Sequence, residues 1–321
     1  MDTSTQAAAV SAAGTGAGAA GETPPRQRGA RSDAWMRRVF LGAGLVSVGA
    51  LALIVLFLFW EGGGIFKVTS LKDFLFGQYW YPTYDPPDFG ILPLVVGSLA
   101  VTALSSALAV PLGVATALYL AEVASPRVRE LIKPAVELLA SLPSVVLGFV
   151  GMVVMAPLLQ DWLDIPTGLN LFNASLMLAL MAIPTITSIG EDALQAVPRE
   201  LREASLALGA TRWETLSRVV VPGALSGLGT AVILGMSRVM GETMVVLMVA
   251  GGAAQIPHSI FDSVRPLPST IAAEMGEAPV GSDHYVALFA IGIVLFLITL
   301  AFNLVAARVS ARFQQKGAAT L

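Results

Sequence analysis

The chain has 321 residues, of which 55% are apolar and only 13% charged, with a mean hydropathy of +0.74. Soluble domains carry about a quarter charged residues, so this composition excludes an ordinary water-soluble protein and indicates a chain solvated mainly by lipid. A net charge of -3 without a basic aromatic stripe excludes nucleic acid as a partner, and the absence of cysteine excludes disulfides, thiolate catalysis and zinc–cysteine sites; two histidines, His258 and His284, leave little for metal ligation.

Residues 1–34 are rich in Ala, Gly, Ser and Thr, with Pro24-Pro25 and several arginines, which predicts a disordered cytoplasmic tail. The arginines follow the small residues and the apolar run comes later, which is the wrong order for a signal peptide. The first span is expected from about Val39 to Trp60, roughly 33 Å of helix at 1.5 Å per residue. The second runs over Leu92–Val123 with Pro111 inside it. The third covers Val136–Leu159, interrupted by Pro143 and Pro157, and the fourth covers Leu171–Ile189 with Pro184 near its far end. Leu225–Ala250 and Tyr285–Ala307 complete six spans, and 317–321 forms a C-terminal tail. The fold class is therefore an all-α integral membrane protein, with one transmembrane domain over 35–316.

Basic residues set the orientation. Arg26, Arg28, Arg31, Arg37 and Arg38 precede span one; Arg127, Arg129 and Lys133 separate spans two and three; Arg199, Arg202, Arg212 and Arg218 separate four and five; Arg308, Arg312 and Lys316 follow six. Only Lys67, Lys72 and Arg265 lie on the other side, which predicts that both termini are cytoplasmic. That other side carries Glu61, Asp73, Asp85, Asp88, Asp161, Asp164, Asp262, Glu274, Glu277 and Asp283, so it is acidic and does not attract a free anion. Tyr79, Trp80, Tyr81 and Tyr84 on this side are either docking aromatics or interfacial anchors, and Trp80 reads as an anchor.

The cytoplasmic connection 190–224 is amphipathic. Glu203-Ala204-Ser205, Leu206, Leu208-Gly209 and Trp213 predict two short helices around a break at Gly209, ending at Pro222. A surface hairpin lying on the membrane is the plain alternative. In span five, Arg238 lies about 18 Å from the cytoplasmic end, near the bilayer midplane. Glu242 follows four residues later, so on a continuous helix the two share a face and can pair. Such a pair either fixes helix packing or meets an anion in a translocation path, since a guanidinium matches two oxygens of an oxyanion at once. Ser141 and Ser144 flank Pro143, and Thr185 and Thr187 follow Pro184, where broken helices expose backbone and hydroxyls; these hydroxyls either meet a substrate or bond within the bundle. Glu137 reads as interfacial, and Asn173-Ala174-Ser175 matches a glycosylation acceptor that is meaningless in a bacterial inner membrane.

Glu203-Ala204-Ser205, Gly209 at its spacing, then Val219, Val221 and Pro222 resemble the E-A-A, G, I-x-L-P signature of permease subunits of bacterial ABC importers. In that family the segment is a coupling helix docked on a cytoplasmic ATPase. The stretch Arg238-Val239-Met240-Gly241-Glu242-Thr243 resembles the R-x-x-G-E-T segment of phosphate-specific (Pst) permeases. Gly77-Gln78-Tyr79-Trp80-Tyr81-Pro82, Phe89-Gly90-Ile91-Leu92-Pro93 and Ser141 to Phe149 agree and point to the PstC type, over about 36–315. The resemblance implies a type I importer permease of the bacterial inner membrane that moves inorganic phosphate, with Arg238 and Glu242 in its path. It also implies a PstA-like second permease, a dimeric PstB-like ATPase carrying ATP and Mg, and an extracytoplasmic PstS-like phosphate-binding protein. No G-x-x-x-x-G-K-[ST] run occurs, so the chain supplies no ATP site and no cofactor of its own. Another oxyanion, molybdate or sulfate, is the alternative cargo; an ion-driven carrier or channel fits the coupling signature poorly, and an enzyme lacks any catalytic constellation.

Overall fold

The computed structural model describes the backbone of residues 28–318 and the side chains of residues 35–308. Most of the expected tail 1–34, residues 319–321, and the side chains of Arg26, Arg28, Arg31, Arg312 and Lys316 lie outside the described residues. Residues 28–34 are helical rather than tail, because α1 (Arg28–Gly62) begins there. The chain divides into two compact units, Met1–Val55 and Leu56–Leu321. In the first, no described side chain from Trp35 to Val55 is buried, so its apolar surface is left for lipid or another protein.

Within the second unit, a 3-10 turn (Gly63–Lys67), α2 (Leu71–Phe76) and a hairpin of β1 (Trp80–Tyr81) and β2 (Asp88–Phe89) precede α3 (Leu92–Leu118). A π turn, Tyr119–Val123, leads to α4 (Pro126–Ser141). Next come α5 (Ser144–Val150), a second π turn Gly151–Met155, and α6 (Ala156–Leu163). Then follow α7 (Leu171–Gln195), α8 (Arg199–Ala207), α9 (Arg212–Thr215), a third π turn Leu216–Val220, α10 (Val221–Met240), α11 (Met244–Val249), α12 (Leu267–Glu274) and α13 (Asp283–Ala318). Among the described residues, six helical stretches are long and apolar enough to cross a membrane: Trp35–Lys67, Leu92–Val123, Ser144–Leu163, Leu171–Gln195, Arg212–Met240 and Asp283–Arg308.

Four expectations change. The third span, expected as one helix over Val136–Leu159, is broken at Leu142-Pro143, where Pro143 cannot donate to the helix and α5 restarts behind it. The fifth, expected over Leu225–Ala250, ends at Met240 because Gly241 caps it and α11 begins afresh. Pro184 does not break α7, which runs unbroken to Gln195. Pro222 does not end a helix either: it falls in the first turn of α10, directly after the widened turn Leu216–Val220, and α9 runs on through that turn into α10.

The packing has three apolar clusters. The central one joins α3, α7, α10, α5 and α11 around Ala109, Leu147, Met177, Ala182, Ile186, Val239 and Val245. Ile186 of α7 is the wedge: a Cβ on Gly113 of α3 would lie 2.8 Å from its side chain, and one on Gly235 of α10 only 2.4 Å. Glycine at both positions therefore lets three backbones converge on one branched side chain. A second cluster seals the acidic end with Ile65, Phe74, Trp80, Ile91, Leu94, Leu267 and Leu288, and a third closes the basic end with Ala117, Leu194, Val197, Val220 and Leu228.

Trp80 is accordingly not an interfacial anchor. It is 3% exposed, and its indole N–H donates to the Glu274 carboxylate at 3.0 Å. Arg265 and His284 converge on the same carboxylate. Tyr79, Tyr81 and Tyr84 remain exposed beside it as a stacked ladder.

Candidate functional site

Arg238 occupies the last turn of α10. Its neighbours Gly235 and Val239 pack against Ala109, Ala182 and Ile186, residues near the middle of α3 and α7, so Arg238 sits at mid-height of the bundle. The guanidinium points outward from the chain and donates through Nη2 to the carbonyl of Ala140 at 3.3 Å. Ser237, one residue earlier, donates to Asn303 of α13 at 2.9 Å, which fixes the turn that carries the arginine.

The expected pairing with Glu242 is not present. Once Gly241 stops α10, the first amides of α11 lack helical partners. The Glu242 carboxylate accepts from Met244 N–H at 3.1 Å and Val245 N–H at 3.4 Å, the first two amides of α11. Among the described residues no carboxylate lies within 4.0 Å of Arg238, so its charge is uncompensated by them.

The break between α4 and α5 lies beside this guanidinium through Ala140. Ser141 is exposed there and donates back to Leu138 at 2.7 Å, and Ser144 is half-buried as the first residue of α5. α11 packs onto α5, where Gly148 permits contact with Val245 and Met248. Arg238, Glu242, Ser141 and Ser144 thus belong to one region. Thr185 and Thr187 do not join it. Thr187 is 1% exposed and donates to the Gly113 carbonyl at 3.2 Å inside the α3–α7 seam, while Thr185 is half-buried on the same unbroken helix.

At the basic end, the two short helices around Gly209 are α8 and α9, and Gly209 adopts φ of 87°, a left-handed turn that favours glycine. Thr211 and Glu214 form a capping box that starts α9. Glu203 and Ala204 are exposed, and the Ser205 hydroxyl meets that of Thr215 at 2.9 Å. No residue of α8 is buried, and Leu208 and Trp213 nearby stand 90% and 73% exposed. Large exposed apolar side chains rimmed by charges mark an interaction surface.

Residue-level reading missed Glu191. It is 1% exposed at the end of α7, 3.3 Å from Lys133 and 3.8 Å from Arg129 of α4, and accepts from Gln195 at 2.8 Å. The carboxylate pair Glu191-Asp192 at the mouth of an apolar span, facing a basic loop, is the signal that marks it. Glu137 is exposed on α4. Asn173 is fully buried and donates to the Gly151 and Gly168 carbonyls, so the glycosylation-like triplet is a packing device.

The family described as binding-protein-dependent transport system inner membrane component matches residues 109–315. A probable ABC transporter permease protein, YqgH of Bacillus subtilis, is 39% identical over 86% of this chain and 90% of its own. A phosphate transport system permease protein, PstC of Mesorhizobium japonicum, is 34% identical over 87% and 92%. Among solved structures, a bacterial ABC transporter that imports the acidic polysaccharide alginate superposes with a TM-score of 0.59 at 15% identity, covering 88% of this chain and 99% of that one. The MetNI methionine transporter, in an inward-facing form, gives 0.54 at 22% identity over 68% and 93%. Sequence and fold agree, and the chain belongs to the inner membrane components of binding-protein-dependent transport systems.

Proposed function

We propose that this chain is the PstC-like permease subunit of an ATP-driven importer that carries inorganic phosphate inward across the bacterial cytoplasmic membrane. The observation that carries this reading is the uncompensated guanidinium of Arg238 at mid-height, beside a broken helix. An arginine at that depth costs on the order of 3 kcal/mol or more against lipid, so it faces protein or a polar passage instead. Its planar donors suit a tetrahedral oxyanion. Broken helices are tolerated at membrane depth where they line a cavity, and Ser141 and Ser144 offer neutral donors there that hold an anion weakly enough to release it. The relatives named as phosphate transport permeases support phosphate rather than molybdate or sulfate.

A PstA-like second permease would cover the outward face of Arg238 and complete the passage. The exposed α8, with Glu203, Ala204 and Ser205 on it and Gly209 and Pro222 shaping the turn and the return, would dock a PstB-like ATPase dimer that binds ATP and Mg. A PstS-like protein would deliver phosphate to the acidic end. With basic loops in the cytoplasm, both termini lie on that side.

The test is uptake of radiolabelled inorganic phosphate by vesicles containing the whole complex. Arg238→Gln is expected to lower the rate by roughly tenfold or more, the loss of a charge-assisted contact, while the ATPase still co-purifies. Excess molybdate and sulfate should compete poorly. Normal uptake by an assembled Arg238→Gln complex would remove the guanidinium from the path.

A further inference from the structure

Helix α8 buries no side chain of its own, yet one of its residues reaches into the bundle. The Arg202 guanidinium forms an ion pair through Nη1 with Glu122, in the π turn that ends α3, and donates through Nη2 to the carbonyl of Leu194 in the last turn of α7, at 2.7 Å. Leu194 is fully buried, and the Arg202 and Glu122 side chains are only 23% and 18% exposed. The turn that carries Glu122 is itself held from its other side, because Arg129 donates to the carbonyls of Leu120 and Ala121. A π turn leaves such carbonyls out of regular register, and here two arginines from different helices claim that end of α3.

We propose that Arg202 is a positioning residue for transport: it is the strut through which displacement of α8 is passed to the ends of α3 and α7. Those two helices carry Ala109, Ala182 and Ile186, which pack on Gly235 and Val239 to either side of Arg238 along α10. A shift at the basic end therefore has a continuous packed route to the guanidinium. A salt bridge with a second bond to a buried backbone carbonyl fixes both distance and direction, which a flexible single contact does not. The inference rests on the reading of α8 as the ATPase-docking helix.

Spatial continuity alone does not establish coupling, so the readout has to be the coupling itself. The assembled complex in proteoliposomes is given ATP and radiolabelled phosphate, and uptake and hydrolysis are measured in the same vesicles. Arg202→Met and Glu122→Gln are each expected to keep the ATPase bound and hydrolysing while phosphate moved per ATP falls at least about fivefold. The charge-swapped pair, Arg202→Glu with Glu122→Arg, should recover part of that ratio, because the ion pair is remade while Leu194 loses its donor. An unchanged ratio in both single variants overturns the strut, even if absolute rates fall together. So does a loss of assembly in both that the swap repairs without restoring the ratio. Ala204→Trp tests the underlying reading separately: if that complex keeps its ATPase and full rates, α8 is not the docking helix, whatever Arg202 does.

Discussion

The charges at Arg238 and Glu242 have separate partners, and their substitutions should behave separately. Glu242→Ala removes the acceptor for two amides at the start of α11, a loss of about 1 kcal/mol for a hydrogen bond of this kind, whereas Glu242→Gln keeps an acceptor and costs less. In transport assays, log-rate effects of Arg238→Gln and Glu242→Gln should therefore add; a strong departure from additivity would mean that the two side chains meet in another state. At the acidic end, the Asp262 carboxylate accepts from the amides of Ser259 and His258, both at 2.8 Å, and these bonds hold its pKa below the ordinary value. Because the folded value lies below the unfolded value of about 3.9, this stabilisation is complete above that pH and is lost as pH falls through the folded value. Protection of the His258 and Ser259 amides, taken relative to their intrinsic exchange rates at each pH, should fall below about pH 4 in the wild type and lose that dependence in Asp262→Asn. Arg238 was legible in the sequence because it is the one basic residue inside an apolar run. Its isolation from Glu242 was not, since spacing by four implies a shared face only while the helix continues, and Gly241 ends it.

Helices are decided by longer stretches of chain, and there the sequence spoke more clearly. Apolar runs located every membrane-length helix, since about 20 apolar residues have few other stable uses. Prolines were harder to read. Pro143 breaks its span and Pro184 does not, because the outcome depends on whether neighbours hold the helix together around the missing bond; Ile186 and Thr187 are gripped by α3 just beyond Pro184. Contacts distant in sequence, such as Trp80 with Glu274, leave no local pattern at all. The gripping of Ile186 gives a prediction at this scale. Gly235→Val would push into a side chain already 2.4 Å from the added Cβ, and overpacking of this kind costs roughly 1–3 kcal/mol. Thermal unfolding in detergent should show that loss for Gly235→Val, while the same change at Gly229, where no atom lies within 4 Å, should have little effect. Equal losses at both sites would mean that β-branching in the helix, rather than the Ile186 contact, sets the cost.

For the molecule as a whole, the three apolar clusters hold the bundle at its middle and both ends, yet its most consequential charge faces away from all of them. A lone copy in the bilayer would have to expose that guanidinium to hydrocarbon, let water in around it, or sink the helix out of position. Each of those costs disappears once another subunit covers the face. Surplus copies made without their companion should then be short-lived in the cell, cleared by membrane proteases that survey exposed polar groups, and Arg238→Leu should lengthen their lifetime in a pulse-chase measurement. The same residue that would let the finished machine grip its cargo would thus also act as a ledger of subunit stoichiometry, marking any copy that has not found its mate.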